Sequence, residues 1–186
     1  MVIRNLLQEA GIDRLDAEVL LAHVLGVPRE KLLFLYNEPA APPAAAAFSV
    51  LCEKRRAGCP IAYLVGEKEF YSLSFLVTPT TLIPRPDTET LVERVIDFCR
   101  RNNIKSPKIA DLCSGSGCIA ITLKKEIPEA EIIAVELSDK ALPYLRENAQ
   151  LNKTDIHIIQ GDVLDGNIAK IKGYPTIGIA FFIIKC

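Results

Sequence analysis

The run of residues 111–120, Asp-Leu-Cys-Ser-Gly-Ser-Gly-Cys-Ile-Ala, contains the residue types best suited to hold a ligand. It lies between a predicted strand and a predicted helix. Gly115 and Gly117 allow backbone dihedrals that other residues resist, and they let a ligand approach the main chain. The helix that follows presents free N–H groups and a partial positive charge, which suit a carboxylate or a phosphate. With Ala120, the spacing also fits the G-x-G-x-x-G/A pattern of dinucleotide sites, although a tight turn with nothing bound has the same pattern.

Two acids follow the next two predicted strands. Glu136 lies 19 positions after Gly117, where a carboxylate can accept hydrogen bonds from both hydroxyls of a ribose. Asp162 follows the third strand, where an acid can reach an adenine amino group. A role as an ordinary turn residue accounts for this aspartate nearly as well. These residues leave two ligands open. One is NAD, with its pyrophosphate on the glycine loop (residues 113–117), and the other is S-adenosylmethionine, with its methionine carboxylate near that loop and its ribose on Glu136.

Alternating strands and helices must position these side chains. Strands are predicted at residues 108–113, 131–137 and 156–160, with helices over residues 117–125 and 139–152 between them. Strands that alternate with helices indicate βαβ units and a parallel sheet. The sequence therefore predicts a Rossmann-like α/β domain.

The residues before this domain have a different pattern. Apolar residues at helical spacing, broken by glycine and proline, predict short helices within residues 1–66, which need mutual packing in a small bundle. Residues 67–77 have aromatic and β-branched side chains in partial alternation, which predicts a β-hairpin. Two prolines hold the next residues extended, and Asp87 or Thr88 is expected to cap a helix over residues 89–101.

Composition excludes several classes of protein. The formal net charge is −1, so no global field would draw the chain onto nucleic acid or an anionic membrane. No apolar run is long enough for a membrane helix, and the charged N-terminus does not resemble a signal peptide. The six cysteines form no C-x-x-C pair, which favours free thiols in a reducing cytoplasm over disulfides or zinc. The two histidines have no partner at ligand spacing, so no metal is expected.

Several runs together resemble a known family over about residues 3 to 166. The glycine loop and the segments around Glu136 and Asp162 follow in the family's order. The other runs lie at residues 15–26, 60–66, 69–71, 82–93 and 146–149, and the run Leu-Ile-Pro-Arg-Pro-Asp-Thr-Glu-Thr-Leu-Val-Glu at 82–93 is the most distinctive. They are similar to the S-adenosylmethionine-dependent methyltransferases that methylate the glutamine of peptide-chain release factors. The resemblance decides between the two ligands in favour of S-adenosylmethionine.

The resemblance implies a domain organisation, an activity and a set of site residues. Residues 1–66 would form a helical domain that binds the release factor, residues 67–90 a β-hairpin linker, and residues 91–186 part of a methyltransferase domain. The substrate would be the glutamine of the Gly-Gly-Gln loop, and the product N5-methylglutamine. The expected cofactor-binding residues are Cys113, Ser114, Gly115, Ser116, Gly117, Glu136, Asp162 and Val163. Cys113 stands where family members often have the first glycine of the loop.

The family's catalytic motif is expected after the fourth strand. There, Asn-Pro-Pro-Tyr would accept the two N–H bonds of the glutamine amide and aim its nitrogen at the donor methyl group. The run does not occur in this sequence, and residues 173–186 do not resemble the family. No catalytic residue is therefore assigned. A frameshift or premature end is the favoured explanation, with a divergent member that has a genuine short end as the other. The apolar tail could pair as a fourth strand or form an exposed edge that aggregates.

Two other functions are compatible with parts of the sequence. A non-catalytic binding fragment would hold a release factor or a nucleoside without turnover, and the missing Asn-Pro-Pro-Tyr favours it. An oxidoreductase fragment would bind NAD at the glycine loop, but nothing after Asp162 supplies a hydride-transfer domain.

Overall fold

The computed structural model describes residues 1–164 and 177–180. The chain divides into two compact units, Met1–Gly66 and Glu67–Cys186. In the described residues, no helix has both the length and the apolar composition that a membrane span requires.

The first unit is a bundle of short helices. They are α1 (Ile3–Gln8), α2 (Arg14–Leu25), a 3-10 turn (Arg29–Lys31), α3 (Leu32–Leu35), α4 (Pro42–Arg56) and α5 (Ile61–Val65). The side chain of Asp13 caps α2 by accepting the N–H of Leu15 at 2.8 Å, and Gly26 ends the helix in a left-handed conformation. Buried apolar side chains from α1, α2, α3 and α4 form one core, which includes Leu20 and Phe48.

The second unit begins with a β-hairpin of β1 (Glu67–Phe70) and β2 (Leu73–Leu76), paired antiparallel. The two residues between the strands, Tyr71 and Ser72, have φ values of 52° and 59°, as expected for a two-residue turn that matches the twist of the strands. The rings of Phe70 and Phe75 meet edge to face, with centroids 6.1 Å apart. Both rings are buried in the core of the second unit.

A parallel sheet with helices follows the hairpin. The elements are α6 (Asp87–Arg101), β3 (Lys108–Leu112), α7 (Cys118–Glu126), β4 (Glu131–Glu136), α8 (Leu142–Leu151), β5 (His157–Gln160) and β6 (Ile177–Ala180). The strands are ordered β5-β4-β3-β6, and all neighbours are parallel. Helices α6, α7 and α8 bury apolar residues such as Val92, Leu123 and Leu145 in one core with strand residues such as Ile109. The α/β class predicted from the sequence, with a helical bundle, a hairpin and a Rossmann-like sheet, is confirmed.

Two details of this unit differ from the expectation or extend it. The predicted side-chain cap of α6 is wrong, because the helix begins at Asp87 and the residue before it, Pro86, makes no such bond. Glu89 instead turns toward the hairpin, where its carboxylate accepts the N–H of Tyr71 at 2.9 Å. The tail contributes a fourth strand, since β6 pairs with β3. The rest of the tail, residues 165–176 and 181–186, lies outside the described residues.

Candidate functional site

A cavity of about 230 Å³ opens between two segments of the second unit. We call residues 80–85 the proline wall and residues 113–116 the loop wall. The first precedes α6, and the second connects β3 to α7. The remaining lining residues are Thr88, Asp111, Cys118, Ile119, Glu136 and Ala141. The cavity therefore lies where β3 and β4 end, which is the usual place for ligands of parallel α/β sheets.

Three residues of the glycine loop have left-handed backbone conformations. The φ values are 63° at Cys113, 55° at Gly115 and 80° at Gly117. A residue with a Cβ in this conformation is strained by roughly 1–2 kcal/mol. Cys113 therefore carries this strain, which a glycine at the same position would avoid. Cys113 is an exposed residue with a free thiol. Its pKa is raised by partial desolvation and by the nearby charges of Glu136, Asp111 and Asp162.

The two glycines of the loop differ in their surroundings. A Cβ at Gly117 would overlap the side chain of Leu145 and come within 3.0 Å of Ile121. A Cβ at Gly115 would meet no heavy atom within 4 Å. The absence of a side chain at Gly117 is thus required by the packing of α7 and α8. At Gly115 it leaves the cavity side of the loop open, so a ligand can approach the main chain there.

The carboxylate of Glu136 is held by two backbone groups. One oxygen accepts the N–H of Gly115 at 2.7 Å, and the other accepts the N–H of Ser138 at 2.8 Å. An ionised carboxylate has about four acceptor positions, so the fixed side chain retains capacity for two more donors. Glu136 therefore does two things in the structure. It fastens the glycine loop to the end of β4, and it presents an oriented acceptor at the cavity.

Asp111 is a second acid in the lining, and sequence reasoning assigned it no role. It is buried at the end of β3, where one of its carboxylate oxygens accepts the N–H of Ala120 at 3.2 Å. Burial raises its pKa to about 7, against the opposing hydrogen bonds from Ala120 and Ser114. The negative charge of Glu136 raises it further. One sequence pattern could have indicated a role for Asp111. It is an acid near the end of an apolar strand, just before a glycine loop.

The free energy of unfolding is expected to depend on pH through Asp111. The folded chain keeps the proton on this carboxyl until about pH 7, whereas the unfolded chain loses it near pH 3.8. Since the folded state binds the proton more tightly, this contribution to stability is complete below the unfolded pKa. It is lost as the pH rises through the folded pKa. Urea unfolding at about pH 5 and about pH 8 should therefore show a larger loss in the wild type than in Asp111→Asn. Parallel losses in the two proteins would contradict this assignment.

The sequence patterns also did not predict that the proline wall lines a site. Residues 82–93 are the most distinctive run of the family resemblance, but no chemical role was predicted for them. Arg85 is the only cation among the described residues that line the cavity. Several hydrogen bonds hold the start of this wall, among them the following two. Thr81 accepts the N–H of Thr78 at 3.1 Å, and the Thr80 hydroxyl donates to the carbonyl of Lys140 at 3.3 Å.

The structure brings most of the predicted site residues together. Cys113, Ser114, Gly115, Ser116 and Glu136 line the cavity. Gly117 lies directly after them, at the start of α7. Asp162 and Val163 follow β5 and do not line the cavity in the described part of the chain. Asp162 accepts the N–H of Leu164 at 2.8 Å, which is the hydrogen bond of a turn residue. The ligand roles of all eight residues stay predictions.

The motif Asn-Pro-Pro-Tyr does not occur in the 186 residues. Its expected place, after the fourth strand, corresponds to residues 181–186, which lie outside the described residues.

Two family models match this chain. The first is described as the PrmC N-terminal domain and matches residues 2–66, and the second is the methyltransferase small domain and matches residues 88–172.

A solved structure, the Pyrococcus abyssi tRNA (uracil-54, C5)-methyltransferase in complex with S-adenosyl-L-homocysteine, aligns with a TM-score of 0.42 and 19% identity. The alignment covers 52% of this chain and 23% of that one.

Curated relatives match along much of the chain. The release factor glutamine methyltransferase of Burkholderia pseudomallei is 45% identical over 146 residues, which are 78% of this chain and 50% of that protein. The protein of the same name from Moorella thermoacetica is 41% identical over 175 residues, covering 88% of this chain and 61% of that protein. The chain thus spans about half the length of the curated relatives it matches. With both family models and these relatives in agreement, the chain belongs to the release factor glutamine methyltransferase family.

Proposed function

We propose that the cavity binds S-adenosylmethionine and that the chain takes part in methylating the glutamine of a release factor's Gly-Gly-Gln loop. The observation that carries the cofactor half of this proposal is the Glu136 carboxylate. It is fixed on the Gly115 amide and faces a cavity in a chain whose curated relatives are named release factor glutamine methyltransferases. The proposed place of action is the cytoplasm.

The residues that line the cavity fit the parts of this cofactor. Glu136 has acceptor capacity left for the two ribose hydroxyls. The open side of Gly115 and the start of α7 suit the methionine carboxylate, because helix N-termini attract anions. Arg85 offers a second positive group, and Asp111 and Glu136 place acids beside a ligand that carries positive charge on its sulfonium and its ammonium. When bound, the cofactor supplies an electrophilic methyl group.

The residues of this chain have defined tasks in such a reaction. Glu136 orients the nucleoside end through a carboxylate that two backbone amides already hold in place. Orientation of this kind lowers the barrier because the reacting groups need no further ordering. Asp111, with a pKa near neutrality, can release its proton when a cation arrives beside it. An oxidoreductase that uses NAD is not favoured, since the matching family model for this unit is a methyltransferase domain.

A transfer assay with purified full chain tests the proposal. The chain would be incubated with methyl-labelled S-adenosylmethionine and an unmethylated release factor, and the label located by peptide mass spectrometry. We expect label on the glutamine of the Gly-Gly-Gln loop and none on a release factor in which that glutamine is replaced. A full-length relative serves as the positive control. If only the relative transfers label while this chain still binds S-adenosylhomocysteine in calorimetry, the chain is a binding fragment and the transfer half is wrong.

A further inference from the structure

The geometry points to Asn148 in α8 as a positioning residue that sets the separation of the proline wall and the loop wall. The identity of the ligand rests on the proposed function, whereas the positioning role rests on the contacts of Asn148 itself. In a sequence, a polar side chain in the middle of a helix is typical of a surface position. In the structure it is fully buried.

The side-chain amide of Asn148 bonds to Ser116 in the loop wall and to Leu76 in β2, the strand that precedes the proline wall. Its nitrogen donates to the carbonyl of Ser116 at 2.9 Å and to the carbonyl of Leu76 at 3.0 Å. Its oxygen accepts the N–H of Leu76 at 2.6 Å. Both amide hydrogens and the carbonyl oxygen are therefore satisfied, as a buried amide requires. One side chain replaces the water that these three backbone groups would otherwise need.

The two partners of Asn148 lie at the bases of the two walls. Ser116 is the last residue of the loop wall. Leu76 ends β2, four residues before the proline wall begins at Thr80. Because one rigid amide bonds to both Ser116 and Leu76, it fixes the distance between the two walls at their bases. Helix α8 contributes to the same support through Leu145, which lies against the position of Gly117.

Asn152 provides a matched comparison one turn further along the chain, at the C-terminal cap of α8. It is also buried, and its amide nitrogen donates to the carbonyl of Ser74 at 2.9 Å and to that of Asn148 at 3.0 Å. It thus ties the hairpin to α8 but has no bond to the loop wall. Replacing either asparagine by aspartate keeps the shape, removes the donor and adds the same charge. Only the change at Asn148 removes a hydrogen bond to the loop wall.

Calorimetric titration of the full chain with S-adenosylhomocysteine tests the role, with urea unfolding of each variant alongside. Both Asn148→Asp and Asn152→Asp are expected to lower stability, because each removes two hydrogen bonds that a buried side-chain amide donates to backbone carbonyls. Only Asn148→Asp is expected to weaken binding by the folded chain, by roughly tenfold, the effect of about one lost hydrogen bond. Asn152→Asp should stay within about twofold of the wild type. Equal affinities in the two variants would overturn the inference.

Hydrogen exchange in the wild type gives a measurement that does not depend on the variants folding. S-adenosylhomocysteine is expected to slow exchange of the Leu76 amide, which donates to Asn148, together with the loop amide of Gly117. The Tyr71 amide, which bonds to Glu89 in the same hairpin, should not change. An unchanged Leu76 amide in the liganded protein would refute the coupling.

A wild type that binds no S-adenosylhomocysteine would contradict the proposed function but not decide the role of Asn148. In that case the ligand-free exchange rate of the Gly117 amide, which donates to Ser114 at 2.8 Å, decides it. Asn148→Asp should speed this exchange and Asn152→Asp should not. Equal rates in the two variants would refute the positioning role independently of any ligand.

Discussion

Gly117→Ala is expected to lower the free energy of unfolding by roughly 2–5 kcal/mol. The new methyl group would overlap Leu145 and press on Ile121, and overpacking a close-packed core costs roughly 1–3 kcal/mol. The backbone at this position is also left-handed, with φ at 80°, which adds roughly 1–2 kcal/mol for any residue with a Cβ. Urea unfolding followed by circular dichroism measures the change.

Gly115→Ala is the matched control for this effect. Its φ of 55° is also left-handed, so the same backbone strain applies, but its methyl group meets no protein atom within 4 Å. We expect a loss of roughly 1–2 kcal/mol in stability and weaker binding of S-adenosylhomocysteine, since the methyl group would stand on the open side of the loop. Equal destabilisation by the two substitutions would show that the contact with Leu145 relaxes freely.

Glu136→Ala is expected to weaken the binding of S-adenosylmethionine by roughly 1.5–3 kcal/mol, the range for a hydrogen bond to a charged group, or about 10- to 150-fold. Two causes act together. The ribose hydroxyls would lose a charged acceptor, and the N–H groups of Gly115 and Ser138 would lose the carboxylate that holds them. Isothermal titration calorimetry at fixed pH measures the affinity.

Glu131→Ala controls for the loss of an acid from the same strand. Glu131 begins β4, at the end opposite Glu136, and forms an exposed ion pair with Lys108 at 3.3 Å. Exposed pairs of this kind contribute little to stability, so this variant should bind with wild-type affinity. An unchanged affinity in Glu136→Ala as well would show that Glu136 only fastens the loop.

Local patterns were sufficient to predict the glycine loop that forms one side of the cavity. Gly115 and Gly117 are recognisable because a sharp strand-to-helix connection needs left-handed backbone, and the structure has it at both positions. Glu136 was identified from its place at the end of the second strand. Its bonds to backbone amides were not predicted, because they depend on how closely the loop after β3 approaches β4.

The rest of the site depends on contacts between distant parts of the sequence. The proline wall follows a hairpin that packs on α8, and no spacing rule in the sequence connects these segments with the glycine loop. Asn148 carries that packing through bonds that a helical pattern cannot indicate. The protonation of Asp111 likewise follows from burial, which is a property of the folded core. The cap expected at Asp87 or Thr88 is wrong for a local reason, because Pro86 itself adopts helical dihedrals and α6 begins at Asp87.

The bonds between Leu76 and Asn148 also have a consequence for synthesis of the chain. They join residues 72 positions apart, and the hairpin is made first. At a translation rate of roughly 5–20 residues per second, Leu76 waits about 4–14 s before its partner has been added. During that interval the proline wall exists without the helix that supports it. The glycine loop, in contrast, leaves the ribosome close in time to β3, α7 and β4, so the cavity acquires its two sides at different moments of translation.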